Sequence, residues 1–201
     1  VVMESTGGYW KPVYYACERV ELRAWLVNAR HVKNVPGRKS DVSDAQWLAQ
    51  LAEFGLLRPS FVPPPRIRQL RDVTRDRTKL TQDRTRIAQR VDTVLDDAGI
   101  KLSVVLTDIF GVSGRDMMAQ LIAGQRDPKV LARLARRRAK NKIPQLEEVL
   151  TGYFTDHHAD QLARLLARYD FCTDQIATLD TRIAAAIDAH QDLATAKQLL
   201  I

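Results

Sequence analysis

The spacing of apolar residues separates a short mixed segment from a long helical one. Residues 1–3 and 23–28 are short apolar runs that predict strands, and residues 9–20 between them predict a helix. The turn-forming run Glu4-Ser5-Thr6-Gly7-Gly8 ends the first strand. A strand, a helix and a strand in such close succession form a βαβ unit, which indicates a parallel pair of strands joined by a right-handed crossover.

A further helix is predicted from Asp41 to about Phe54. Ser40 is a good N-cap residue, and apolar residues follow at helical spacing at positions 47, 48, 51 and 54. Prolines at positions 59, 63, 64 and 65 then indicate a rigid linker or the start of another helix. We therefore predict one domain over residues 1–60 and a helical coiled-coil domain over residues 61–201.

Two long helices with heptad patterns are predicted in the second domain, over residues 66–97 and 156–197. In the first helix Val73, Leu80, Ile87 and Val94 form one row, whereas Arg77 and Arg84 interrupt the companion row of Leu70 and Val91. In the second helix both rows are unbroken: Leu162, Tyr169, Ile176 and Ile183 form one, and Leu165, Cys172, Leu179 and Ala186 form the other. The simplest architecture pairs the two helices antiparallel, and the pattern leaves open whether the seam closes within one chain or between two.

Gly and Pro separate smaller helices between the two long ones. They are predicted over residues 101–108, 114–123, 127–139 and 144–150. At the start of the last long helix, Asp156, His157, His158 and Asp160 cluster. We interpret this cluster as helix capping and dipole chemistry and not as a zinc site.

The charge of the chain points to an anionic partner such as nucleic acid. It carries 31 Lys and Arg against 24 Asp and Glu, a net charge of +7 in 201 residues. Much of the excess lies between residues 66 and 90, although a soluble coiled-coil face would also carry alternating charges. The basic residues for which we predict nucleic-acid contacts, in the loop of residues 29–39 and on the following long helix, are Lys33, Arg38, Lys39, Arg66, Arg68, Arg71, Arg75, Arg77 and Arg84.

The remaining composition excludes several classes of protein. Cys17 and Cys172 lie far apart without metal-binding or redox spacing, which favours a reducing, cytoplasmic compartment. No apolar stretch is long enough to cross a membrane, and there is no secretory signal. The chain opens abruptly inside a predicted strand, and we expect it to be a fragment.

Three carboxylates are the candidate catalytic and metal-binding residues. Asp41 and Asp44 fall one turn apart in the first turn of their helix, a geometry that suits a shared Mg²⁺ ion, although acids there also favour the helix dipole. Glu4 follows the first strand, and in parallel sheets ligand-binding groups gather beyond the carboxyl ends of strands. The three acids can therefore converge at one sheet edge, with the basic loop beside them to hold phosphates.

The combination of these motifs resembles a known family. Glu4-Ser5-Thr6-Gly7, the stretch from Gly37 to Ala45, the Pro-Pro linker, the arginine-rich helix and the run from Asp108 to Gly114 are similar to those of insertion-sequence transposases with a RuvC-like DEDD domain. This is the class of bridge-RNA-guided, serine-dependent recombinases. The resemblance implies an α/β plus α fold, in which a partial RNase H/RuvC-like domain precedes a long helical coiled-coil domain.

The resemblance also implies a mechanism and partners. Glu4, Asp41 and Asp44 would ligate Mg²⁺ at the scissile DNA phosphate, while the first acid and the nucleophilic serine would lie outside this chain. The coiled coil would contact guide RNA and donor and target DNA, and would support a dimer or tetramer. Two alternatives stay open: a metal-dependent nuclease or Holliday-junction resolvase, and a non-catalytic nucleic-acid-binding module.

Overall fold

The computed structural model describes residues 1–28, 41–190 and 195, and for residues 41–44 it describes the backbone alone. The chain divides after Arg68 into two compact units, here called the sheet unit and the helical unit. Helices predominate among the described residues, accompanied by a two-stranded parallel sheet. None of the described helices combines the length and the apolar character needed to span a bilayer.

The sheet unit contains the strand–helix–strand order that the sequence predicts. Its elements in chain order are β1 (Val2–Glu4), α1 (Trp10–Arg19), β2 (Trp25–Val27) and α2 (Asp41–Glu53). The two strands pair in parallel, with Val2 opposite Trp25 and Glu4 opposite Val27. The predicted parallel pairing is thus confirmed.

The apolar face of α2 packs against this sheet. Val27 and Leu51 are buried at the centre of the cluster, and Val2, Trp47 and Leu48 pack around them half-buried. Three of the four positions that gave α2 its helical spacing in the sequence, residues 47, 48 and 51, therefore anchor the helix to the sheet, whereas Phe54 follows the end of α2 and is 73% exposed. Because β1 is only three residues long, this apolar contact with α2 is a main support of the strand that carries Glu4.

The helical unit is built on two long helices with shorter ones between them. The elements that follow α2 are α3 (Pro65–Asp97), α4 (Leu102–Val105), α5 (Val112–Ile122), α6 (Pro128–Ala132), a 3₁₀ helix (Arg137–Lys142), α7 (Ile143–Val149) and α8 (Asp156–Asp188). Two predictions were wrong. A single helix over residues 127–139 is replaced by α6 and the 3₁₀ helix, and the helix predicted over residues 156–197 is interrupted after Asp188. Residues 191–194, 196 and 197 of that prediction lie outside the described residues.

Burial along α3 and α8 follows the predicted heptad rows. Ile87, Val91 and Val94 of α3 and Leu162 and Leu165 of α8 are all buried in one cluster. The helices run antiparallel, since the α3 end near residue 97 shares a surface depression with residue 161 and the region near residue 87 shares another with residue 172. Over these residues the seam therefore closes within one chain.

Candidate functional site

Glu4 lies at the carboxyl end of β1 with one of its oxygens already engaged. Its side chain is half-buried, and Oε1 accepts a hydrogen bond from Thr6 Oγ1 at 2.7 Å. The backbone turns immediately afterwards, since Thr6 N–H donates to the carbonyl of Glu4 at 3.0 Å and Gly7 adopts a φ of +54°. Glycine takes up such a φ without the steric clash that a Cβ atom would bring, so the Ser-Thr-Gly sequence is suited to this turn. The hydroxyl of Thr6 thus fixes the carboxylate and leaves Oε2 to face another partner.

Asp41 and Asp44 occupy the first turn of α2. The backbone is helical from Asp41 onward, so the two residues lie one turn apart as predicted. Their side chains lie outside the described part of the chain, as does the predicted N-cap Ser40. Since α2 packs against β1, the element that carries the aspartates contacts the strand that carries Glu4.

The predicted metal site and the predicted nucleic-acid contacts of the basic loop stay predictions. Among the residues whose side chains are described, no group of three His, Cys, Asp or Glu side chains is placed to hold a metal ion. Asp41 and Asp44 are not among those residues. Lys33, Arg38 and Lys39 likewise lie in the stretch of residues 29–40, outside the described residues.

Arg68, a predicted nucleic-acid contact, is held inside the sheet unit. Its guanidinium donates to Glu18 Oε2 at 2.5 Å and to the carbonyl of Pro63 at 3.0 Å. The same group lies 4.6 Å from the ring centroid of Tyr15, and only 14% of the side chain is exposed. The hydrogen bond to Glu18 raises the pKa of Arg68, which stays charged. These contacts indicate a structural role for Arg68, which joins the start of α3 to Glu18 of α1; we call this ion pair the Arg68 clamp.

Arg77 and Arg84 lie at the seam of the helical unit. Arg77 forms a two-pronged ion pair with Asp180 of α8, and this hydrogen bond lowers the pKa of Asp180. The guanidinium of Arg84 lies 5.9 Å from the ring centroid of Tyr169. The two arginines that interrupt the apolar heptad row are therefore matched by an acid and an aromatic ring on the facing helix.

The other predicted arginines of α3 are more accessible. Arg66, Arg71 and Arg75 are exposed, and Arg75 lies 3.9 Å from Asp72 on the same helix. A pair this exposed contributes little to stability and leaves the arginine available to other anions. Among the predicted contacts that the structure describes, Arg71 and Arg75 are the best placed for a phosphate backbone.

The histidine cluster serves the start of α8. Thr155 N–H donates to Nδ1 of His158 at 3.1 Å, as in a capping box, and Asp156 lies 3.2 Å from Arg126. The interpretation as capping chemistry is confirmed for His158. Of the other two members of the cluster, His157 contacts Gln161 and Asp160 pairs with Arg164, both within α8.

The sequence pattern did not single out a set of residues that become neighbours only when α3 and α8 pair. Arg86 and Arg90 of α3 and Arg164 and Arg168 of α8 line two adjoining depressions along one flank of the seam, with Phe171 beside them. The signal that could have found them is the heptad position of Arg90 and Arg168, each of which flanks an apolar row. Such flanking residues of paired helices face each other.

Comparison with family models gives a match over the first part of the chain. Residues 1–100 match the DEDD_Tnp_IS110 family of transposases. The matched stretch runs from β1 to the end of α3 and includes Glu4, Asp41 and Asp44. Neither curated proteins nor solved structures give a match to the chain. The family match supports a transposase role, which implies a DNA-processing enzyme with DNA as its partner.

Proposed function

We propose that this chain supplies metal-binding carboxylates of an insertion-sequence DNA transposase and recombinase. In this proposal Glu4, Asp41 and Asp44 hold Mg²⁺ at a DNA phosphate within a RuvC-like domain over residues 1–60. The observation that carries the proposal is the packing of α2, which begins at Asp41, against β1, which ends at Glu4, in a stretch matching a transposase family.

The donor set fits a hard divalent cation. Carboxylate oxygens are the ligands that Mg²⁺ prefers, and the bond from Thr6 leaves Oε2 of Glu4 available. A cation held there would supply Lewis-acid stabilisation of charge at the phosphate. The chain's own contribution is to orient the ligands: Thr6 fixes Glu4, and the packing of Leu51 fixes α2.

The wider assembly is part of the same proposal. The net positive charge and the exposed arginines of α3 favour contacts with donor and target DNA and with a guide RNA. Where base pairing with a guide reads the sequence, the protein needs to hold only the backbones. The helical domain over residues 61–201 would in addition support a dimer or tetramer.

Replacing the acids tests the catalytic role. We expect Asp41→Asn, Asp44→Asn and Glu4→Gln, each introduced into the protein as the cell makes it, to lower DNA strand cleavage about 100-fold or more. A lost metal ligand removes several kcal/mol of transition-state stabilisation, at about 1.4 kcal/mol per tenfold in rate. DNA binding should change less than about threefold, since these acids do not hold the DNA by charge attraction.

The matched control is Glu53→Gln, which removes an exposed acid from the last turn of the same helix. Cleavage by this variant should equal that of the parent. Normal cleavage by the Asp41 and Asp44 variants would refute the metal site and favour a non-catalytic nucleic-acid-binding module. Cleavage that depends on the acids but never leaves a protein–DNA adduct would favour a metal-dependent nuclease or junction resolvase.

A further inference from the structure

A basic groove runs along one flank of the seam between α3 and α8. Two adjoining depressions form it, and Arg90 of α3 and Arg168 of α8 line both of them. Arg86 and Phe171 belong to one depression and Arg164 to the other. All of these residues lie in the helical unit, outside the stretch that carries the proposed metal ligands.

Arg90 and Arg168 are like charges at positions that usually hold opposite ones. Residues flanking the apolar rows of paired helices commonly form ion pairs across the seam. The residues at the heptad position of Arg90 in the neighbouring heptads, at positions 76, 83 and 97, are all aspartates. Within the described part of the chain, neither Arg90 nor Arg168 forms an ion pair with an acid. Two guanidinium groups lining one groove repel each other, and an anion between them relieves this repulsion.

The other charges of the groove are of both signs, with arginines in excess, since Asp83 and Asp97 line it together with four arginines. Arg86 pairs with Asp83 at 3.0 Å, and Arg164 pairs with Asp160 at 2.7 Å. Both are exposed pairs within one helix, which contribute little and exchange partners readily. Arginine suits phosphate in particular, because its planar guanidinium donates two parallel hydrogen bonds.

Phe171 adds an aromatic surface to the basic groove. Its side chain is 61% exposed although the apolar cluster of the helical unit lies beside it. Proteins that bind single strands combine a positively charged groove with aromatic rings on which bases stack, and a base inside a duplex is not available for such stacking. An acidic peptide would satisfy the arginines but would give Phe171 no comparable planar partner.

We propose that this groove binds a single strand of nucleic acid, with phosphates at Arg90 and Arg168 and an unpaired base stacked on Phe171. The inference rests on the proposed function, because a recombinase exposes single strands of DNA and, if guided, of RNA. The ligand chemistry is the same for both strands, a phosphodiester backbone with unpaired bases. Separate DNA and RNA probes therefore distinguish the source.

The test measures binding of the 201-residue chain to labelled oligonucleotides of about 12 nucleotides, a length within the site sizes of single-strand binders. Fluorescence anisotropy across a salt series is recorded for single-stranded DNA, single-stranded RNA and a duplex of equal length. We expect a single strand to bind more tightly than the duplex. We expect Arg90→Gln combined with Arg168→Gln to weaken single-strand binding at least tenfold and to flatten the salt slope by about 1.4, from two phosphate contacts at about 0.7 each.

Matched controls separate the groove from net charge and from general aromatic content. Arg133→Gln combined with Arg182→Gln removes the same charge from exposed positions outside the groove. The salt dependence of single-strand binding should be the same in this variant as in the parent. Phe171→Ala should weaken single-strand binding about tenfold, whereas Phe171→Trp should retain it. Tyr153→Ala, at an 89% exposed position outside the groove, should have no effect.

Three outcomes would overturn the inference: an unchanged salt slope in the Arg90 and Arg168 variant, tighter binding of the duplex, or unaltered binding by Phe171→Ala. The result is independent of catalysis, because Asp41→Asn should bind these probes as the parent does. A groove that fails this test while the Asp41 variant loses cleavage would leave the proposed function in place. If the groove binds single strands but the Asp41 variant cleaves DNA normally, the groove would stand as a binding site and the proposed metal site would be refuted.

Discussion

Each of the two units is stabilised internally by a different set of contacts. In the helical unit, side chains such as Leu95, Met117, Leu131 and Leu162 are completely buried in one continuous apolar cluster. In the sheet unit, the described apolar cluster centres on Val27 and Leu51, and the clamp of Arg68 supplements it. The proposed metal ligands thus lie in the unit with the smaller described core.

This difference indicates that the two units have different roles, with an adaptable site in the sheet unit and a fixed surface on the helical unit. Functional segments are commonly drawn from the less stable parts of a protein, since they must adjust to a ligand. A large buried cluster, by contrast, keeps a surface such as the α3–α8 groove in a fixed shape. The comparison predicts that stability and proposed catalysis respond to substitutions in different units.

Removing a buried leucine from each unit should have the largest effect. Leu162→Ala is expected to lower the free energy of opening of the helical unit by about 2–5 kcal/mol, because Leu162 is fully buried and the rigid cluster around it cannot collapse into the cavity. Leu51→Ala should act on the sheet unit toward the lower end of that range, since its half-buried neighbours can close in. Amide hydrogen exchange, read residue by residue, measures both openings.

The informative result is where protection is lost. In the Leu162 variant, exchange should accelerate along α3 and α8 and remain unchanged at Leu26 and Val27 of β2. Equal losses in both units would show that the chain unfolds as one cooperative body. As a control, Val104→Ala removes an exposed side chain of the helical unit and should leave exchange nearly unchanged.

The elements with the clearest periodicity could be predicted from the sequence. The heptad rows of α3 and α8 match their buried faces, because a seven-residue apolar repeat can be buried only along one stripe of a helix. The predicted strand pairing at residues 1–3 and 23–28 and the helix after residue 40 also hold, since turn residues and the spacing of apolar residues are local signals.

The failures have physical causes that a pattern of residue types does not contain. The helix predicted over residues 127–139 ends at Ala132, and the chain then passes through Arg137 at a φ of +51°, a conformation that arginine rarely adopts. The clamp between Arg68 and Glu18, and the meeting of Arg90 with Arg168, join residues far apart in the sequence. Counting charge along α3 therefore identified a basic helix but not which arginines the fold engages and which it leaves available.

A glycine substitution in each unit should have the next largest effect. A Cβ atom on Gly114 would lie 2.1 Å from the carbonyl oxygen of Ile109, so Gly114→Ala must displace backbone at the start of α5. We expect a loss of about 1–3 kcal/mol in the helical unit, typical of overpacking. Gly8→Ala meets nothing within 4 Å and should be neutral or stabilise the sheet unit by less than about 1 kcal/mol.

Urea denaturation, followed by the helical signal, measures the Gly114 effect, and hydrogen exchange measures that of Gly8. A tolerated Gly114→Ala would mean that the turn before α5 can relax, and would weaken the contrast between a rigid helical unit and a more adaptable sheet unit. The Gly114→Ala variant should keep its secondary structure, since the clash is confined to the contact with Ile109.

The smallest expected effect concerns pH. The hydrogen bond from Arg77 lowers the pKa of Asp180, so the pair stabilises the folded helical unit above the ordinary pKa of an aspartate. This contribution is lost as the pH falls through the lowered value. The difference in urea midpoint between the parent and Asp180→Asn should therefore be small and constant from neutral pH down to about pH 5, and should shrink as the pH falls below the ordinary aspartate pKa of about 3.9. Both side chains are largely exposed, which keeps the effect small.

The control for this effect comes from the other unit. Glu18→Gln disrupts the clamp on Arg68 but leaves Asp180 in place, so the difference between parent and Asp180→Asn should be the same in that background. A difference that changes with Glu18→Gln would mean that the two ion pairs are energetically coupled. The contrast between the units would then have to be given up, since residues of both would contribute to a single transition.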